Sequence, residues 1–240
     1  MGKGTMTMSN SSLVDYVKWS PNNSGQRRNA IDIITIHMVV GQCSVEALGD
    51  VFANPSRQAS SNYGIGYDGR IGQYVDEANR SWCSSSSWND NRAITIETAS
   101  DNYYPYAVND IAYMSLLTLC TDICQRNSKN KLLWYPTWDE FETHYGTDPD
   151  VMYMTLHKWF AATSCPGQYL EERMRDIASN VTKLLKTFTD VTPDMSAYRA
   201  IEWMASQGYV QGYKDGTFRP SQPLTRAQFC TIMWRMAGRP

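Results

Sequence analysis

The sequence predicts a mixed α/β fold, a central β-sheet flanked by helices, with a small helical unit after it. Three observations carry this expectation. Short β-branched runs occupy 30–40 (AIDIITIHMVV) and 93–97 (AITIE), a glycine-rich hairpin pattern covers 63–75 (YGIGYDGRIGQYV), and apolar residues recur at helical spacing over 109–126 and 170–185. Strands that alternate with helices bury their apolar faces by layering helices on a sheet.

The elements follow in order. Residues 1–28 are rich in Ser, Asn and Gly and are expected to form a loose arm. The run at 30–40 is isoleucine-rich, as a strand buried on both faces should be, and places His37 near its C-terminal end. Ser44 can cap a helix through about residue 53, with Val45, Leu48, Val51 and Phe52 inward. Asp68-Gly69 supplies the hairpin turn, because glycine tolerates positive φ. The helix at 109–126 turns Ile111, Leu116, Leu119, Cys120, Ile123 and Cys124 to one face, so the Cys120/Cys124 pair reads as core packing rather than a metal pair. A strand at 132–135 should stop at Pro136, leaving 136–150 irregular. The last helix of this domain, 170–185, points Met174, Ile177, Val181 and Leu184 inward. The organisation expected is therefore an arm at 1–28, a main α/β domain at 29–187 and a separate module at 188–240.

A hydrophobic content of 42% with 19% charged residues is globular, and a net charge of −2 supplies no strong field toward nucleic acid or acidic lipid. The start of the chain is polar, and no apolar stretch is long enough to span a bilayer. Synthesis in a cytoplasm without a signal peptide is expected, with the protein either acting there or leaving by another route. The six cysteines include no CxxC and suit free thiols or metal ligands better than a disulfide framework.

A hydrolytic zinc site takes three protein ligands and keeps one position open. The chain has three histidines: His37 on its strand end, His144, and His157, which precedes Cys165 in MTLHKWFAATSCPG. His-x7-Cys alone fits either a metal pair or a core cysteine beside a surface histidine. Glu97 ends an apolar strand, a poor place for an unpartnered carboxylate, so it reads either as a catalytic acid–base group or as one half of an ion pair.

The segments ITIHMVVGQCSVEALGDVF, SSNYGIGYDGRIGQYVDEANRSWCSSSSWNDNRAITIETAS and HKWFAATSCPG resemble the N-acetylmuramoyl-L-alanine amidase type 2 family, which includes the peptidoglycan-recognition proteins and phage-type endolysins. They occur in the family's order and span most of 31–185. The resemblance implies the amidase type 2 fold, one zinc ion on His37, His157 and Cys165, Glu97 as the catalytic acid–base, and peptidoglycan as substrate. His144 matches no ligand position. Thr163 stands where many relatives carry an oxyanion-stabilising lysine, with Lys158 as a candidate substitute. Ser61 falls where some relatives use a tyrosine, and Tyr63 lies two residues on. Trp82 is followed by Cys83, where the family often has histidine, and Cys43 and Cys83 are a candidate pair in an oxidising medium. Tyr63, Trp82, Trp88, Thr163 and Lys158 are the expected substrate contacts, with Tyr103, Tyr104 and Tyr106 as further flanking aromatics.

FTDV, AIEWMASQGYVQGYKDGTFRP and LTRAQFCTIMWRMAG resemble a single S-layer homology repeat: helix, tight loop on Asp215-Gly216, helix. The resemblance implies a secondary cell-wall polymer as partner, contacted through Arg219, Thr225 and Arg226. Gln228 replaces the usual glutamate, and Ser196 a common tryptophan. Trp203, Phe218, Phe229 and Trp234 are expected to form a small core. So little core in a lone repeat implies homo-oligomerisation through this module. Alternative readings are a non-catalytic wall-recognition protein, a cytoplasmic amidase that recycles wall fragments, and a structural surface-layer protein.

Overall fold

The computed structural model describes residues 10–185, 188–192 and 195–238. Residues 1–9 of the expected arm and the expected domain junction at 187 lie outside the described residues. A seven-stranded mixed sheet runs β1 (Tyr16–Val17), β5 (Ile71–Gln73), β4 (Tyr63–Ile65), β7 (Ala93–Ser100), β3 (Ile33–Val40), β9 (Val151–Thr155), β8 (Lys131–Leu133) in spatial order. The ladders β4–β7, β7–β3, β3–β9 and β9–β8 are parallel, while β4 and β5 form the antiparallel hairpin. A two-stranded ribbon of β2 (Asn23–Gln26) and β6 (Asn79–Ser81) stands beside it.

Side-chain alternation divides the central strands into two faces. Ile34, Ile36, Ile94, Ile96, Tyr63 and Ile65 face the main core under α3 (Asp110–Arg126) and α5 (Gln168–Leu184). Thr35, His37, Thr95 and Glu97 alternate with them on the other face. Thr35 on that face is satisfied internally: Thr35 and Thr155 hydroxyls lie 2.8 Å apart, and Asn89 donates to Thr35 at 2.9 Å and accepts from Thr155 at 2.8 Å. α1 (Val45–Ala53) is capped by Ser44, and its Leu48 and Phe52 pack on Tyr74; Val51 points to solvent at 44% exposure. Ile111 is likewise outside the apolar face of its helix, at 62% exposure.

Three expectations are corrected. The described part of the arm is not loose. Tyr16 and Val17 extend the sheet edge in parallel with Gly72 and Gln73, and the buried Arg27 guanidinium donates to the Glu77 and Asp90 carbonyls and to Asn62. The stretch 136–150 holds α4 (Trp138–His144), capped by Thr137, and β9 follows at once. The four-aromatic core of the C-terminal unit does not form. Tyr198 and Ile201 of α6 (Tyr198–Ser206) join the main core beside α3 and α5, and the Tyr198 hydroxyl donates to Gln125 at 3.3 Å. Phe218 pairs with Phe188 instead, while Phe229 and Trp234 of α7 (Arg226–Met236) remain 54% and 47% exposed. The first helix of this unit spends its apolar face on the larger domain, so little is left to cover α7.

Candidate metal centre

Three parallel strands bring the expected site residues to the carboxyl ends of the sheet, where open α/β sheets place their ligands. His37 and Glu97 are register partners on β3 and β7, so their side chains leave the same face side by side. His157 begins a 3-10 turn two residues after β9, which pairs with β3. Cys165 sits in the loop before α5. Gly167 closes that loop at φ +81°, and a Cβ there would come within 2.5 Å of the Met38 sulfur, so only glycine lets the thiol loop approach β3 this closely.

The ligand atoms of His37, His157 and Cys165 all lie within 4.8 Å of one another. The Cys165 Sγ stands 3.4 Å from His37 Nδ1, and the two imidazole centroids are 5.0 Å apart. Donors around a tetrahedral zinc with bonds of about 2.0–2.3 Å stand roughly 3.3–3.8 Å apart. The three atoms are therefore close enough together to hold one ion, with the Cys165–His37 pair already at a ligand-pair spacing. His37 is 1% exposed and its Nε2 has no hydrogen-bond partner. A buried, unpartnered imidazole nitrogen beside a thiol and a second imidazole fits a borderline divalent cation, and zinc is the one this donor set suits best.

The family model for N-acetylmuramoyl-L-alanine amidase matches residues 27–168, more than half of the chain. The chain belongs to that family. A second model, for the S-layer homology domain, matches residues 187–230. In a search of curated proteins, cell surface glycoprotein 1 of Acetivibrio thermocellus is 44% identical over 46 residues, a match that spans 19% of this chain and 2% of that protein. Among solved structures, a mutant endolysin from Bacillus subtilis is similar at 17% identity and a TM-score of 0.46, covering 70% of this chain and 99% of that one. An endolysin N-acetylmuramoyl-L-alanine amidase from Clostridium intestinale is similar at 16% identity and a TM-score of 0.45, covering 66% and 90%.

Within the amidase domain, burial decides the proton affinities. It holds the His37 imidazole down at about 3, with a further push from His157, and it lowers His157 as well. Both rings are neutral at pH 7, the form that ligates metal. Burial, with the Glu97 charge behind it, pushes the Cys165 thiol up to about 12. Burial also lifts Glu97 to about 8, against small opposing effects from the Cys83 thiol and Arg57. The Glu97 Oε1 receives the Cys83 thiol at 3.8 Å, while Oε2 is buried without a partner. No ion pair holds Glu97 among the described residues, so its reading as one half of an ion pair is not met there.

Sequence reasoning missed the residue that shapes the cleft wall. Asp90 accepts from the backbone N–H of Cys83 at 3.2 Å, the N–H of Ser84 at 3.1 Å and the Ser84 hydroxyl at 2.6 Å, clamping the serine-rich loop. A lone aspartate after a serine run reads as a turn residue, which hides this role. The cleft itself, about 500 Å³, is lined by Arg80, Trp82, Cys83, Ser85, Ser86 and His157. The Trp82 indole N–H donates to Ser24 at 2.6 Å, and the Ser85 hydroxyl lies 3.5 Å from His157 Nε2.

The other expected contacts divide. Trp88 sits in an adjoining aromatic hollow with Trp138, Phe141, Tyr145 and Phe160, which shares Ser86 with the cleft. Thr163 is exposed, and its hydroxyl oxygen accepts from the Cys165 N–H at 3.2 Å. Lys158 is committed elsewhere, in an ion pair with Glu171 at 2.5 Å. Tyr63 is not a cleft residue: it pairs with Ile96 rather than Glu97, which turns it to the opposite face. There it is fully buried, donating to Glu77 at 2.5 Å. His144 ends α4, exposed and stacked on Tyr135 at 4.7 Å. Tyr103 and Tyr104 are 65% and 66% exposed. All six cysteines, Cys43 and Cys83 among them, are free thiols. In the C-terminal unit Arg219 pairs with Asp215 at 2.8 Å and lies 4.0 Å over the Tyr213 ring. Thr225 caps α7 in a capping box with Gln228, and Arg226 makes no ion pair among the described residues.

Proposed function

We propose that this amidase hydrolyses the bond between the lactyl group of N-acetylmuramic acid and the first L-alanine of the peptidoglycan stem peptide. His37, His157 and Cys165 would hold one zinc ion. The observation that carries this reading is the convergence of those three ligand atoms within 4.8 Å, with Glu97 in register beside His37. Bound zinc supplies a water of pKa about 7 and polarises the scissile carbonyl.

The chain's own groups do the rest. Glu97, lifted to about 8 and free at Oε2, is placed to take a proton from the attacking water and return it to the leaving amine. The Thr163 hydroxyl accepts from Cys165 and keeps its own hydrogen, so it can donate to the developing oxyanion where relatives use lysine. With Lys158 held by Glu171, Thr163 is the better candidate for that role. Trp82 and Trp88 offer faces for the glycan or stem on either side of Ser86.

The C-terminal repeat would anchor the protein to an anionic secondary wall polymer. Arg226, without an ion pair among the described residues, is the first contact we assign, and Arg219 the second. Thr225 serves α7 as its cap, its hydroxyl oxygen accepting from the Gln228 N–H at 3.1 Å. Self-association would use α7, where Phe229, Met233 and Trp234 are 54%, 49% and 47% exposed. Light scattering of the full chain should then show higher species as concentration rises, and a strict monomer at high concentration refutes it. No described helix is long and apolar enough to cross a membrane.

Purified protein on bacterial walls should release new L-alanine amino termini; new reducing sugar ends without new amines contradict the proposal. Zinc uptake gives a second check. At pH 6–8 the metal-free Cys165 carries a proton, since its value is about 12, and must lose it on ligation. Glu97, near 8, also loses its proton more readily beside a cation. Apparent zinc affinity should therefore rise at least about tenfold per pH unit across that range. Calorimetry showing an affinity independent of pH removes the thiol from the ligand set.

A further inference from the structure

Beside the ligand set already described stands a second one, which shares its His37 and takes in the proposed proton-transfer group Glu97. The ligand atoms of His37, Cys83 and Glu97 also lie within 4.8 Å of one another. Two of its members carry the marks of a cation site. His37 Nε2 and Glu97 Oε2 are both buried, and neither has a hydrogen-bond partner. The third, the Cys83 thiol, points at Glu97 Oε1 from 3.8 Å, and Asp90 holds its backbone in place. Imidazole, thiolate and carboxylate together select a borderline divalent ion such as zinc or cobalt over magnesium or calcium, which prefer all-oxygen shells.

We propose that a divalent cation has this alternative position in the amidase, on His37, Cys83 and Glu97, exclusive of the first because both sets need His37. The inference rests on the proposed zinc reading only in sharing that histidine. Its consequence is regulatory. An ion in the inner position makes Glu97 a ligand and takes it out of proton transfer, so the protein is loaded but inactive. Cys165 and His157 are what draw the ion outward.

The test follows cobalt, whose thiolate bonds give a near-ultraviolet charge-transfer band, in the full metal-free chain. Native protein should show the band. Cys165→Ala should keep it, at an affinity at least about tenfold weaker, because the ion moves to Cys83. The double variant Cys83→Ser/Cys165→Ala should lose it. Glu97→Gln should weaken cobalt binding about tenfold in the Cys165→Ala background and leave native-background affinity within about twofold. Should Cys165→Ala fail to fold, Cys165→Ser removes the same outer thiolate with a smaller change and leaves the inner set whole, and it should keep the band. A normal band in native protein with none in either outer-set variant overturns the inference alone. Survival of the band in the double variant, or no Glu97→Gln effect in the Cys165→Ala background, overturns it as well. A native protein without the band overturns both the inference and the zinc reading.

Discussion

Glu97→Gln is expected to lower turnover on cell walls by about 10²–10⁴-fold while zinc content stays at the native level, because general acid–base groups contribute on that order and glutamine cannot exchange the proton. The substitution keeps the shape of the side chain and its place beside His37 on the paired strands. It also removes a carboxylate that burial has lifted toward neutrality, to about 8. That value suits proton transfer in both directions. Below it the group can hold a proton for the departing amine, and above it the group can accept one from water. The proposed ligands are neutral imidazoles and a thiol, so none of them replaces it. The measurement is the initial rate of amine release alongside metal analysis of the same sample. Retention of activity within about threefold would move the proton-transfer role elsewhere, whereas loss of zinc together with activity would make Glu97 a ligand in the working state.

The pieces of this site were legible in the sequence because each rides on a strong local signal. His37 and Glu97 occupy β-branched runs, and the parallel pairing of β3 and β7 then needs no adjustment to set them side by side. His157 and Cys165 were joined by the family resemblance more than by spacing. What was hidden depends on register or on contacts far apart in the chain. Tyr63 was expected at the substrate because it follows Ser61 by two residues, but its partner is Ile96, one residue from Glu97, and a one-residue offset turns a side chain to the other face of a sheet. β9 is too short for periodicity to distinguish from loop, and it is recognisable as a strand only through its pairing with β3 and β8. α4 did carry a readable start, Thr137 followed three residues later by Glu140, yet the aromatic run around it masked the helical spacing. The C-terminal repeat was expected to own its core. Its first helix packs on α3 and α5 instead, a choice no single-repeat pattern encodes.

The same dependence on remote partners makes Arg126 the most consequential structural residue, and Arg126→Ala should cost about 3–5 kcal/mol of folding stability, the usual penalty for leaving buried charge unpaired. Arg126 ends α3 and forks onto Glu77, with nitrogen–oxygen distances of 2.7 and 2.8 Å, while its Nε reaches Asp122 at 2.8 Å. The Glu77 side chain is wholly buried and that of Asp122 is 1% exposed. Glu77 also accepts from the Tyr63 hydroxyl, which in turn accepts from the backbone of Ser11, so one guanidinium ties the N-terminal strap, the hairpin and α3 together. Alanine at 126 leaves two buried carboxylates without their shared counter-charge and opens a void where the side chain ran. Removing charge on both sides separates the two contributions. Arg126→Met with Glu77→Gln keeps the volume and deletes one of the two unpaired anions, so the double variant should recover part of the loss, with Asp122 accounting for the remainder. Urea unfolding of the three proteins decides it. If Arg126→Ala lies within about 1 kcal/mol of native, the network is no more than an exposed ion pair in its effect, and the strap must be held by its backbone ladder alone.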